Sequence, residues 1–212
     1  MIRFLKTNSL ALGLILAFIF FFLMFSPLTA ERFNFWILMS SSALVLGTIT
    51  VCLGWGGSLK NRFDPTPGAF IIGILSACLL WFIFYIGNKV SGLILPFSGT
   101  QISSIYAIKH GSNPIILSGL LLLLIGPAEE IFWRGFVQDR ISKRYNRFIG
   151  MILASLLYTL VHIWSFNLML ILAALVAGFF WGFMYMLFPK NLIPLIISHA
   201  LWDAMIFIWF PV

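Results

Sequence analysis

The stretch IILSGLLLLLIGPAEEIFWRGF, residues Ile115–Phe136, decides the reading of this chain. It begins as a run so apolar that water is a poor solvent for it, and it ends on Glu129, Glu130 and Arg134. A charged side chain deep in a membrane helix costs about 2.5–3.5 kcal/mol on insertion scales, so each one needs a partner or a use. Glu130 and Arg134 stand four apart with the acid first, the better orientation for a helical ion pair. Glu129 points about 100° away from that pair, with Trp133 as its four-residue neighbour, and is left to face another helix. Pro127 cannot donate to the Leu123 carbonyl and loosens the helix just before the two acids.

The rest of the chain agrees with a bilayer. Of its 212 residues, 61% are hydrophobic and 9% charged, whereas a soluble domain carries about 25% charged residues. The net charge of +7 is spread between apolar runs, the pattern of membrane topology, and gives no nucleic-acid surface. Cys52 and Cys78 lie inside apolar runs and read as small buried hydrophobes, with no disulfide or metal spacing. The first apolar run follows Arg3 and Lys6; it is too long for a signal-peptide core, and Leu28-Thr29-Ala30 is a poor cleavage site, so it reads as a retained span.

The fold class is therefore all-α, a polytopic transmembrane helical bundle with about seven spans and a cytosolic N-terminus. The spans fall near 10–25, 35–55, 69–86, 115–136, 148–164, 168–187 and 192–210. Residues 58–68 hold Lys60, Arg62, Asp64 and two prolines and read as a turn, and Gly56-Gly57 stop the second span. Residues 87–114 form a long non-spanning segment with a short interfacial helix over 102–108, and the fourth helix continues to Tyr145. Residues 1–114 supply N-terminal helices and a connecting loop, and 115–212 a helical core, within one membrane domain. Ala174, Gly178 and Gly182 make a small-residue stripe for close helix packing. Nine basic residues fall on the N-terminal side against Arg32, Lys89 and Lys109 on the other, so the N-terminus is placed inside and Arg140–Arg147 acts as the cytosolic anchor.

Beyond the opening motif, the later spans hold His162, His199 and Asp203. At 1.5 Å per residue, His162 lies roughly 21 Å and His199 about 10–13 Å from the cytosolic starts of their helices, with Glu129 roughly 10–15 Å above the end of its own. The three helices put their rare polar groups in overlapping layers, from the cytosolic half to the middle, which points to one shared site. Tyr158 and His162 share a helix face, as do His199 and Asp203. Glu129 beside a histidine suits a general base for water, and a second histidine suits donation to an oxyanion.

At these residues the chain resembles the CAAX protease and bacteriocin-processing family, which includes type II CAAX prenyl proteases, lysostaphin-resistance-like proteins and the Abi proteins. Glu129-Glu130-Ile131-Phe132-Trp133-Arg134 matches its paired-Glu, three-residue gap, Arg motif. Tyr158-Thr159-Leu160-Val161-His162 resembles the aromatic–His motif, with Tyr where Phe is commoner. His199-Ala200-Leu201-Trp202-Asp203 resembles the final His–Asn/Asp motif. The resemblance covers residues 115–205. It implies an intramembrane endopeptidase acting on membrane-associated peptides or proteins. Glu129 and His162 would activate water, His199 and Asp203 would face the oxyanion, and Glu130, Arg134 and Tyr158 would support them.

An ionised Asp203 cannot donate as the family's Asn does. It is expected to hold His199 in a donating tautomer, with a protonated Asp203 as the alternative. The cofactor is left open: none, or a zinc held by Glu129, His162 and His199. The substrate peptide is expected near the cytosolic half of a prokaryotic plasma membrane. Two other readings stay open. One is a catalytically silent immunity or scaffolding protein of the same fold. The other is a small ion-coupled transporter, against which stands the absence of two related halves.

Overall fold

The computed structural model describes residues 8–54 and 62–212, and all its regular structure is helical. Arg3, Lys6, Gly56-Gly57 and the first part of the polar turn, with Lys60, lie outside the described residues. Most helix starts are written in the same chemistry. Asn34 caps α1's successor, α2 (Phe35–Ile49), by accepting from the Ile37 N–H at 3.1 Å; α1 itself is Ser9–Phe25. Thr66, followed by Pro67, opens α3 (Pro67–Ile94), and α4 is Ser98–Ala107. Asn113 and Pro114 open α5 (Pro114–Arg144), Asn146 opens α6 (Arg147–Val161) and Asn167 opens α7 (Leu168–Leu187). Each such cap satisfies N–H groups that the first turn leaves without partners, a contribution of about 1 kcal/mol. The last helix, α8 (Ile193–Ala204), passes into a π turn, Met205–Trp209.

Five of these helices are long and apolar enough to cross a membrane: α2 with its extension, α3, α5, α6 with its extension, and α7. Two shorter apolar helices, Ser9–Phe25 and Ile193–Trp209, complete the expected seven. The chain is a polytopic helical bundle. α3 departs from expectation by continuing to Ile94, past Asn88, Lys89, Ser91 and Gly92, which read as loop. Ser91 Oγ bonds back to the Asn88 carbonyl at 3.0 Å, so the polar residues are accommodated inside the helix. At 28 residues α3 is about 42 Å long, and it outreaches the hydrocarbon layer of roughly 30 Å.

The small residues set the helix spacing. A Cβ on Gly126 would lie 2.6 Å from Ala200 Cα, so α5 and α8 touch backbone to backbone. The Ala174–Gly178–Gly182 stripe lies against α6 and α5, and it exposes carbonyls as well as allowing contact. Ser155 Oγ donates to the Gly178 carbonyl at 2.8 Å, Arg134 Nη2 to the same carbonyl at 3.2 Å, and Gln138 Nε2 to the Gly182 carbonyl at 2.8 Å. Cys52 and Cys78 are exposed, contrary to expectation. In a bilayer the lipid-facing surface is as apolar as the interior, so an apolar neighbourhood does not imply burial.

The bundle has two distinct ends. At one, Arg62 pairs with Asp139 at 2.9 Å and donates to the Gly135 carbonyl at 3.0 Å, while Asp139 also receives Lys143 and Tyr185. This basic end gathers the 62–66 turn, the α5–α6 junction and the α7–α8 connection. The opposite, loop end gathers residues 26–34, α4, the α6–α7 turn and the C-terminal residues. There Asn167 Nδ2 donates to the Gln101 carbonyl at 2.9 Å and Trp81 Nε1 to the Phe210 carbonyl at 2.8 Å.

Candidate active site

α5 delivers the paired acids through an interrupted ladder. Leu121–Ile125 and Trp133–Gln138 are π-helical and bracket the α-helical turn Gly126–Phe132. The Gly126 N–H reaches back five residues to the Leu121 carbonyl, next to the bond that Pro127 cannot make. Such π segments are frequent at functional sites because they re-aim side chains without ending a helix.

Glu130 and Arg134 form the expected pair at 2.8 Å, but not on the helix surface: Glu130 is 0% and Arg134 2% exposed. The same Glu130 Oε1 lies 2.6 Å from His199 Nδ1. Arg134 sits over the rings of Tyr158 and Trp181, with its guanidinium 4.9 and 5.4 Å from their centroids. The Trp181 ring stacks on His199 at 3.7 Å and 17°, and Trp181 Nε1 donates to Ser198 Oγ at 3.1 Å. One atom of Glu130 and one indole face therefore define the plane and rotation of His199.

Asp203, expected to set the tautomer of His199, lies farther from the ring than Glu130 does. Glu130, not Asp203, holds His199 Nδ1. Asp203 Oδ2 lies 3.5 Å from Nε2, on the same edge that faces Glu129 Oε2 at 3.9 Å. The physical reason is helix crossing: the close α5–α8 approach at Gly126 and Ala200 brings Glu130 beneath the ring, which no spacing within α8 anticipates.

Glu129 accepts a hydrogen bond from the Tyr158 hydroxyl at 3.2 Å. His162 ends α6, and its Nδ1 lies 2.8 Å from the Tyr158 carbonyl. A carbonyl only accepts, so Nδ1 carries the proton and Nε2 presents its lone pair. Phe21 and Phe25 of α1 pack on the His162 ring with centroids at 4.9 and 5.7 Å. Glu129, Tyr158, His162, His199 and Asp203 line one apolar cavity of about 520 Å³, within the range of small-ligand sites. The residues picked from sequence thus come together, and Trp181, Phe21 and Phe25 join them. A tryptophan or phenylalanine inside an apolar run carries no sequence signal that separates it from lipid-facing neighbours.

The possible zinc ligands were Glu129, His162 and His199. Among the described residues no three His, Cys, Asp or Glu side chains gather as a metal site. The donor set as placed does not fit a bound zinc.

No curated protein and no solved structure matches the chain. Residues 111–205, the stretch that carries the acids, both histidines and Asp203, match the family described as type II CAAX prenyl endopeptidase Rce1-like.

Proposed function

We propose that this protein is an intramembrane endopeptidase of the plasma membrane that cleaves membrane-associated peptides with a water activated by Glu129 and His162. The observation that carries the reading is the division of labour between adjacent acids. Glu130 is committed to Arg134 and His199, while Glu129 stands at the cavity wall, held by Tyr158. Water placed between Glu129 and His162 Nε2 gives a proton to Glu129 as its oxygen bonds to the substrate carbonyl carbon. His199 has a carboxyl group at each ring nitrogen, Glu130 at Nδ1 and Asp203 with Glu129 at Nε2, the surroundings of a ring that donates from both. Its Nε2–H stabilises the developing oxyanion. When the C–N bond breaks, Glu129 returns its proton to the departing amine.

The tests are Glu129→Gln, His162→Ala and His199→Ala, each expected to abolish cleavage in a folded, inserted protein. Comparing membrane-protein termini in cells carrying wild type or Glu129→Gln reads the activity and names clients together. The Asp203 departure favours one competing reading, a catalytically silent member of the family, under which Glu129→Gln still supports the cellular phenotype. Cleavage lost on chelation and recovered with stoichiometric zinc would replace the metal-free mechanism.

A further inference from the structure

We propose that the cavity takes its peptide from the non-cytosolic side, so that the cleaved bond is one presented in or at the non-cytosolic leaflet. This rests on the peptidase reading for the word peptide, but the direction of access comes from independent observations.

The first is where the cavity is closed. Towards the basic end the floor beneath Glu129 is Phe132, Trp133, Phe136, Val137, Gln138 and Trp181, none more than 1% exposed. A peptide has no path through that layer without unpacking the core. The second is where the cavity continues. Its walls are the loop-end halves of the helices: Phe35 and Trp36 at the start of α2, Ser91 and Leu95 at the end of α3, and Ile105 and Tyr106 of α4. Val90 and Ile94 of α3 and Leu172 and Val176 of α7 both line it and stand 38–68% exposed. These four side chains form a rim where the cavity meets the bundle surface, on the loop-end half.

The third is charge. Arg62, Arg140, Lys143, Arg144, Arg147 and Lys190 lie at the closed end, against Arg32, Lys89 and Lys109 at the open one. One of those three is tied into the fold, since Lys109 Nζ donates to the Phe207 carbonyl at 2.5 Å. An excess of Lys and Arg in short connections marks the cytosolic side. Arg3, Lys6 and Lys60 add to the same side of the sequence count. The closed end is then cytosolic, and the mouth faces the other way. This reverses the expectation, drawn from helix depth alone, of a peptide held in the cytosolic half. The catalytic groups sit near mid-membrane, and what decides access is which side of them is packed. Apart from the candidate catalytic groups and a few others such as Asn88 and Ser91 the lining is apolar, so the class of substrate is an apolar, membrane-inserted segment.

The test is thiol labelling of the full chain in a Cys52→Ser, Cys78→Ser background. Single cysteines replace Ser103 at the loop end, Lys190 at the basic end and Ile105 in the cavity wall. A charged, membrane-impermeant thiol reagent is applied to spheroplasts and to inverted vesicles from the same cells. Ser103→Cys and Ile105→Cys are expected to react in spheroplasts and be protected in inverted vesicles, with Lys190→Cys the reverse. The opposite pattern, or equal labelling of Ser103→Cys from both sides, overturns the proposal, as does protection of Ile105→Cys in both preparations. Labelling reads orientation whether or not the chain cuts anything. An inactive protein with the expected labelling removes the peptidase reading alone, and an active one with reversed labelling removes this inference alone.

Discussion

Glu130→Gln tests the centre of the site most directly. In the native protein a single oxygen, Glu130 Oε1, accepts from Arg134 Nη1 at 2.8 Å and faces His199 Nδ1 at 2.6 Å, with no exposure to solvent or lipid. The amide keeps the shape and an acceptor but removes the charge. Arg134 is then left without a counter-charge, with the amide oxygen, the Gly178 carbonyl and two ring faces around it in a membrane interior. Removing one partner of a buried ion pair costs about 3–5 kcal/mol, because the remaining charge keeps its desolvation penalty. Arg134→Leu strands Glu130 in the same way and falls in the same range. The double variant removes both charges, so its loss is expected to be smaller than the sum by about 2 kcal/mol, at the upper part of the range for contacting residues. The assay is equilibrium unfolding in bilayer-mimetic micelles or bicelles for wild type, both single variants and the double. Single-variant losses that add to within about 0.5 kcal/mol would refute the reasoning, since that is the behaviour of independent sites. Cleavage by Glu130→Gln is expected to fall even under conditions where the variant stays folded, because His199 loses the contact that sets its rotation.

Three further substitutions probe separate contacts. Gly126→Ala puts a methyl 2.6 Å from Ala200 Cα, so α5 and α8 must part; a loss of about 1–3 kcal/mol in unfolding and a larger proportional loss of cleavage are expected. Tyr158→Phe removes the donor to Glu129, and at about 1.5–3 kcal/mol for a bond to a charged group it is expected to slow cleavage by roughly 10- to 100-fold with membrane insertion unaffected. Asp203→Asn supplies a side chain that both donates and accepts beside His199 Nε2; retained or increased turnover is expected, and complete loss would show that the carboxyl group itself is required.

Much of this was legible before any fold was known, for reasons that differ between residues. The helices were readable because long apolar runs separated by Asn, Pro and Gly leave few alternatives in a bilayer, where backbone groups must be satisfied within the segment. The Glu130–Arg134 pair was readable because its two members lie on one helix, at a spacing geometry dictates. The end of α3 lies beyond the expected one because Asn88, Ser91 and Gly92 are loop formers in water, yet a serine can bond its own helix. The cysteines are exposed where burial is expected because hydrophobicity does not separate a lipid face from a packed one.

The sequence by itself determined the class of protein, the order of its spans, a family resemblance over residues 115–205 and the few polar groups that a membrane would not tolerate without purpose. Tertiary structure alone decided which of those groups meet. Glu130 lies 69 residues from His199 in sequence, and they touch because Gly126 lets α5 press against Ala200 of α8. Trp181 joins them from α7 because Gly178 and Gly182 bring that helix close enough for its carbonyls to receive Arg134 and Gln138. It also decided that the cavity is floored by aromatic packing on the basic side and open on the other. Spacing along a chain reports neighbours on one helix, whereas contacts between helices depend on crossing points set by small residues, and those become visible only when the helices are assembled.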